Sequence, residues 1–365
     1  MKPDTSFLKG LFSEYLLNSK TRLPIGISPA EIRLDRNESV FDIRNEIKSE
    51  ILGKVLLNKW NHYPPPYYAG LEKCISEYAG VNPEQVVTAA GSAAIITTLF
   101  NYFAINRRQI VVAQPSFTLY DYHCNTYGIS FDAWNLDKNL EYDVSVMPKL
   151  KPYSLVVFAS PNNPVGNIIQ PDDLEQILKK NPTSIFLIDE VYHEFSGTSV
   201  QKYINQYPNL LLLRSFSKTF SAAGLRMGYV LGNQSVIEQI RKLILTFSLN
   251  YLSVQFISTL LSNMEYIDEI RKNIRKTVEE RNKTFYSLSE LSGKNKKFVV
   301  KQSYGNFLLI QFHSAESFDV FRNLLAKEQI NLLDVSGNKR LPFSFRFTIG
   351  TPSDNELIVR LLMLV

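Results

Sequence analysis

The stretch SFSKTFSAAGLR, residues 215–226, follows an apolar run and places Lys218 directly behind Ser217, with Arg226 eight residues further on. A lysine at that place does little for solubility, but its amine can attack a carbonyl carbon. Ser215, Ser217 and Arg226 add hydroxyl donors and a positive charge, which together suit a phosphate group. Three further turns carry chemistry of their own. PNNPVGN (161–167) follows the run 154–160, DEVYHEF (189–195) follows the run 184–188, and AAGSAA (89–94) opens an apolar helix. A helix start leaves backbone N–H groups unpaired and carries a partial positive charge, so Gly91, Ser92 and Ala93 form a second part of a phosphate seat.

The set has a common reading. Lys218 calls for an aldehyde, the serines and Arg226 call for a phosphate, and Asp189 can keep a pyridine nitrogen protonated so that the ring withdraws electrons. Those are the requirements of pyridoxal 5′-phosphate. Singly, each residue has an ordinary structural use: an acidic strand end, an Asn-Pro turn, a Gly-Ser helix cap, a surface lysine. Their order along the chain, each just beyond an apolar run, favours the shared site.

The elements that must position them are legible as texture. The runs 109–114, 154–160, 184–190, 209–215 and 227–233 are continuously apolar rather than alternating, as expected of strands covered on both faces of a mainly parallel sheet. Ligands of such sheets bind beyond the carboxyl ends of the strands, where these turns fall. Helix-length stretches lie between, such as PDDLEQILKK (171–180), with acids at its start and lysines at its end. Beyond residue 260 a long charged amphipathic helix precedes a smaller unit holding the strands 305–312 and 343–350. The expected architecture is α/β: a large domain over 38–250 with a mainly parallel mixed sheet covered by helices, and a smaller α/β domain over 251–365. Residues 1–37 are expected to pack with the small domain.

Composition narrows the function classes. Lys+Arg of 40 against Asp+Glu of 35 gives a charge of +5 in 365 residues, with no basic block of the kind that binds nucleic acid. The two cysteines, Cys74 and Cys124, have no CxxC neighbour, and the four histidines show no paired spacing, so neither a disulfide framework nor a metal site is expected. No run of ~18 apolar residues and no signal-peptide pattern occurs, and the protein is expected to be cytoplasmic and free of membrane.

The chain resembles the fold-type I pyridoxal-phosphate aminotransferases, and among them the histidinol-phosphate aminotransferase family. The likeness rests on LDRNES (34–39), NHYPPP (61–66), GSAA (91–94), PSFTLY (115–120), SPNNPVG (160–166), IDEVYHEF (188–195), RSFSKTFSAAGLRMGY (214–229), SYGNFLL (303–309) and FRFTIGTP (345–352), in that order over nearly the whole chain. The resemblance implies that Lys218 forms the Schiff base and then moves the proton, that Asp189 pairs with the pyridine nitrogen, and that Asn163 and Tyr192 bond the ring oxygen. It implies Phe117 against the ring face, the phosphate held by Gly91, Ser92, Ala93, Ser215, Ser217 and Arg226, and Tyr63 reaching in from the second subunit of a homodimer. Arg346 would bind the donor's carboxylate in a two-point fork, while Asn37, Asn306 and Tyr15 would line the substrate side.

The implied reaction moves an amino group between L-glutamate/2-oxoglutarate and a small phosphorylated ketone, imidazole-acetol phosphate or dihydroxyacetone phosphate. Two departures bear on the acceptor. GSAA replaces the acidic residues usual after Gly-Ser, and Leu333 stands where the family tends to carry an arginine for the substrate's distal anion. Lys339, Arg340 or the segment around Tyr15 is therefore expected to take over that task. FSLN (247–250) is similar to a stretch of the threonine-phosphate decarboxylase branch, which keeps a phospho-amino-acid decarboxylase as the alternative. A regulatory binding protein of the same fold is the third reading, against which the intact Lys218 argues.

Overall fold

The computed structural model describes residues 8–18, 30–65 and 68–365. Twelve strands form two sheets among them. In chain order they are β1 (Ile32–Leu34), β2 (Val86–Ala89), β3 (Ile110–Gln114), β4 (Asp132–Asn135), β5 (Leu155–Ala159), β6 (Ile185–Asp189), β7 (Leu210–Ser215), β8 (Gly228–Gly232), β9 (Phe298–Lys301), β10 (Phe307–Phe312), β11 (Ile330–Asp334) and β12 (Ser344–Thr348). The large sheet has seven strands in the order β2-β8-β7-β6-β5-β3-β4. Its β4-β3-β5-β6-β7 portion is parallel throughout, whereas β8 runs antiparallel to both β7 and β2.

Continuous apolar strands arise here because alternate side chains enter different cores. Val156 and Phe158 of β5 join one hydrophobic cluster, and Leu155 and Val157 join another. The same split divides Phe186 and Ile188 from Leu187 on β6, and Leu210 and Leu212 from Leu211 and Leu213 on β7. With water excluded from both faces, neither can be polar.

The small sheet has the order β1-β11-β12-β10-β9. Its β1 lies parallel to β11, so the chain just after residue 30 joins strands more than 290 positions later, from Ile32 opposite Ile330 to Leu34 opposite Leu332. Residues 1–7 and 19–29 of the expected N-terminal segment, and Pro66 and Tyr67 of the proline-rich stretch, lie outside the described residues. The charged helix expected after residue 260 spans Met264–Asn295, its first turn capped by the Asn263 side chain, which accepts from the Glu265 N–H. Arg281 on this helix donates to the Gly305 carbonyl at 2.9 Å, tying it to the loop before β10. No helix among the described residues is long and apolar enough to cross a membrane.

Candidate active site

A cleft of about 750 Å³ opens beyond the carboxyl ends of β5, β6 and β7. Asp189, Asn163, Tyr192, Ser215, Ser217, Lys218 and Arg226 all line it, together with Ser92, Ala93, Phe117, Tyr15 and Arg346. Phe117, Asn163, Asp189 and Lys218 meet because the parallel strands before them end on the same side, and Tyr15 and Arg346 reach the cleft from the N-terminal segment and the small sheet.

Asp189 ends β6 and is only 6% exposed. Its Oδ2 accepts from the Tyr120 hydroxyl at 2.9 Å and its Oδ1 from the Val191 N–H at 3.1 Å. Burial pushes its carboxyl up to about 6, and those two hydrogen bonds keep it from rising further. Lys218 sits on the turn after β7, and its Nζ donates to the Arg36 carbonyl at 2.7 Å. Burial, then the positive charges of Arg346 and Arg226, bring the amine down to about 8, despite the opposing pull of Glu38 and Asp189. An amine so placed is neutral far more often near physiological pH than an ordinary lysine and can act as nucleophile or base.

The helix Ser92–Ile105 starts at the cleft, with Gly91 as its N-cap at φ +85°. A Cβ at Gly91 would come 3.1 Å from the Arg226 guanidinium, and one at Gly228 would come 2.3 Å from the Ser92 nitrogen. Glycine at both places therefore lets the helix start press against β8 and Arg226 at once. Ser215 donates to the Ser217 hydroxyl at 2.9 Å, on the same side of the cleft. Backbone donors, two hydroxyls and a guanidinium converge where Gly91, Ser92 and Gly228 meet, and a buried carboxylate and a low-pKa lysine line the same cleft. This arrangement fits the dianionic and pyridine ends of pyridoxal 5′-phosphate, and the GSAA variant costs it no backbone donor.

Arg346, on β12, is buried; one terminal nitrogen donates to Asn163 Oδ1 at 2.8 Å, the other donates to the Asp35 carbonyl, and Nε has no partner among the described residues. Burial brings its guanidinium down to about 10, although Tyr192 and Asp35 work against the shift. Tyr192 is held through its hydroxyl, which accepts from Asn37 Nδ2 at 2.9 Å. Phe117 meets the Tyr120 ring edge-on at 5.7 Å between centroids.

Several expected positions differ. Asn37 and Asn306 are 0% and 1% exposed, and neither lines the cleft. They stand one layer behind it: Asn37 holds Tyr192, and Asn306 Nδ2 donates to the Asn37 carbonyl at 3.2 Å. Tyr63 is 84% exposed, packs its ring against Phe247 at 5.2 Å, and does not reach the cleft of its own chain. Lys339 and Arg340 do not line the cleft either, and Arg340 is spent on the Leu136 and Asp137 carbonyls. Leu333 does line it, directly across the strand pair from Arg346. Two contributors escaped sequence reasoning. Tyr120 lies three residues after Phe117, in the first turn of the helix Leu119–Tyr127, inside PSFTLY. Arg36 lies inside LDRNES, next to Asn37. Glu190, beside Asp189, is occupied structurally: its Oε2 accepts from Arg214 at 2.7 and 3.0 Å in a buried pair.

The family model for aminotransferase class I and II matches residues 30–362. The histidinol-phosphate aminotransferase of Ruminiclostridium cellulolyticum is 31% identical over 337 residues, 91% of each chain. The histidinol-phosphate aminotransferase of Sinorhizobium meliloti, solved in complex with pyridoxal 5′-phosphate, has the same fold with a TM-score of 0.80 at 17% identity, covering 100% of this chain and 98% of its own. The L-threonine-O-3-phosphate decarboxylase of Porphyromonas gingivalis shares the fold too, with a TM-score of 0.76 at 20% identity over 91% of this chain and 98% of its own. The fold is therefore common to transferring and decarboxylating enzymes, whereas the family match extends over the strands, the cleft and the small sheet together: the chain belongs to the aminotransferase class I and II family and is a pyridoxal 5′-phosphate-dependent aminotransferase.

Proposed function

We propose that Lys218 is the residue to which the cofactor is attached and, once released, the base that moves the proton at the substrate Cα. The amine held near 8 in a cleft shared with buried Asp189 and Arg346 carries this reading. Bound pyridoxal phosphate supplies a sink for the electron pair left at Cα when that proton departs. Asp189, fixed by Tyr120 and Val191, balances a protonated ring nitrogen. The helix start at Ser92, with Ser215, Ser217 and Arg226, would hold the phosphate. Tyr192, braced by Asn37, presents its hydroxyl to the ring oxygen.

L-glutamate is the proposed amino donor, its α-carboxylate taken by Arg346 in exchange for the Asn163 and Asp35 oxygens that occupy the guanidinium. Asn163 is then free for the ring oxygen. A small phosphorylated ketone is the proposed acceptor. The assembly is proposed as a homodimer in which Tyr63, exposed in a proline-rich segment beside Phe247, reaches the phosphate of the partner's site.

Mixing the holoenzyme with L-glutamate alone tests the reaction class. Transamination releases one equivalent of 2-oxoglutarate and leaves the amine form of the cofactor, and Lys218→Ala abolishes both. Borohydride reduction followed by peptide mapping places the label on Lys218; label on another lysine, or carbon dioxide in place of 2-oxoglutarate, overturns the proposal.

A further inference from the structure

Among the described residues the cleft holds four cationic side chains: Lys218, Arg226, Arg346 and Arg36. On the reading above, which this inference deepens, the first three are committed to the proton, the cofactor phosphate and the substrate carboxylate. Glutamate brings a second carboxylate, and a phosphorylated ketone or amine, which has no carboxylate, brings its phosphate. The strand beside Arg346 offers either anion nothing, because Leu333 and Val335 are aliphatic and Arg340 is turned to the carbonyls of 136 and 137.

Arg36 has the free capacity. Its side chain is 40% exposed, and its one ion pair is a single Nε contact of 3.6 Å to Asp35 Oδ2. That same oxygen already accepts from Asn331 Nδ2 at 3.0 Å. Among the described residues no hydrogen bond engages the terminal nitrogens of Arg36, so its fork is available to a planar carboxylate or a phosphate.

Its place is fixed from two sides. The Arg36 carbonyl accepts from Lys218, and the preceding carbonyl, that of Asp35, accepts from Arg346. Arg36 thus stands on the short turn that links the Lys218 amine to the Arg346 guanidinium, and it lines the same cleft. β1 delivers this turn, and its pairing with β11 sets it beside the strand that carries Leu333.

We propose that Arg36 receives the distal anionic group of the substrate, the side-chain carboxylate of glutamate or the phosphate of a phosphorylated amine, so that the enzyme selects amino compounds bearing such a group over those bearing only an α-carboxylate. The two sources share their chemistry and are separated by the substrates offered. Half-reactions of the holoenzyme are followed with L-glutamate, serinol phosphate and L-alanine, for the native chain, Arg36→Gln and Arg36→Lys. Loss of a charge-assisted fork in a partly open cleft is worth a factor of about 10 to 100. Arg36→Gln is expected to lower the preference for glutamate over alanine by that factor, acting on the concentration for half-saturation, and Arg36→Lys is expected to restore part of it. If the phosphate group is the physiological anion, the preference for serinol phosphate over alanine falls further than that for glutamate.

Binding of maleate, an unreactive dicarboxylate, measured by calorimetry on the holoenzyme, gives a readout apart from turnover. Maleate affinity is expected to fall in Arg36→Gln by a like factor. An unchanged glutamate-to-alanine ratio together with unchanged maleate affinity overturns the assignment. So does an equal loss for all three substrates, because that is what a merely structural support of Lys218 would give. If the native protein transaminates none of the three, the reaction proposed above fails, and the maleate titration still decides the role of Arg36.

Discussion

Replacing Tyr120 by phenylalanine removes one hydroxyl and leaves a ring of nearly the same shape in a fully buried position. That hydroxyl donates at 2.9 Å to Asp189, a carboxylate already pushed up to about 6 by burial. A hydrogen bond to a charged group contributes about 1.5–3 kcal/mol, equivalent to roughly 1–2 pKa units at about 1.4 kcal/mol each. The Asp189 carboxyl is therefore expected to titrate roughly 1–2 units higher in Tyr120→Phe, so that near pH 7 a large fraction of it is protonated and cannot balance a pyridinium. The assay is titration of the cofactor-stripped protein with pyridoxal phosphate across a pH series, followed by absorbance. In the native chain the dissociation constant is expected to worsen as pH falls below about 6, and in the variant the break moves up by that amount.

Stability of the cofactor-free protein carries the same signature with the opposite slope. Asp189 is raised from 3.8 to about 6 on folding. The folded chain thus keeps a proton that the unfolded chain releases, and this contribution is fully present below the ordinary carboxylate value and lost as pH rises through about 6. About two units amount to about 3 kcal/mol lost over that window. In Tyr120→Phe the decline continues a further 1–2 units upward, so urea melts of the two proteins diverge only above about pH 6. A binding break at the same pH in both proteins, or weakened binding by one factor at every pH, refutes the claim that Tyr120 acts through the charge on Asp189.

Two other outcomes follow from the same site. Only the neutral amine of Lys218 is nucleophilic, and its value is lowered from 10.5 to about 8. The rate of covalent capture of pyridoxal phosphate is therefore expected to rise about tenfold per pH unit below about 8 and to level off above it in stopped-flow absorbance; a rise that continues to pH 10 contradicts the placement of Lys218 among Arg346 and Arg226. Mixed preparations of Lys218→Ala and Tyr63→Phe chains, refolded together, are expected to be more active than either parent, since some dimers then hold one site with both residues intact; mixtures no better than the parents show that Tyr63 does not serve the partner's site.

How far these features were legible in the sequence depended on how local their causes are. β3, β5, β6, β7 and β8 stood out because burial on both faces leaves no polar position along the run. β4 did not, because it is an edge strand with three of its four residues exposed and only Trp134 buried. β2 and the antiparallel sense of β8 were hidden because pairing direction is set by the path of the chain, not by the composition of the strand. The residues closing β5, β6 and β7 were legible for the converse reason: an Asn-Pro turn, an acidic pair and a Ser-Lys turn are unusual sequels to apolar runs, and each falls where parallel strands release the chain.

Tyr120 and Arg36 escaped because their importance lies in a partner distant along the chain. Tyr120 acts on a carboxylate 69 positions later, and Arg36 offers its carbonyl to a lysine 182 positions later. The misplacing of Asn37 and Asn306 has the same origin. A buried asparagine beside a site reads like a ligand residue until the tyrosine it supports is in place. The 35–37 turn gathers these relations. Through three consecutive residues it contacts Arg346, Lys218 and Tyr192, the groups proposed for carboxylate recognition, proton movement and the ring oxygen. A carboxylate arriving at Arg346 must displace the Asp35 carbonyl from that guanidinium, and the freed carbonyl belongs to the same turn that holds the Lys218 amine. On the proposed roles, substrate recognition and the position of the base are joined through the backbone of this one turn, which β1 delivers by pairing with β11.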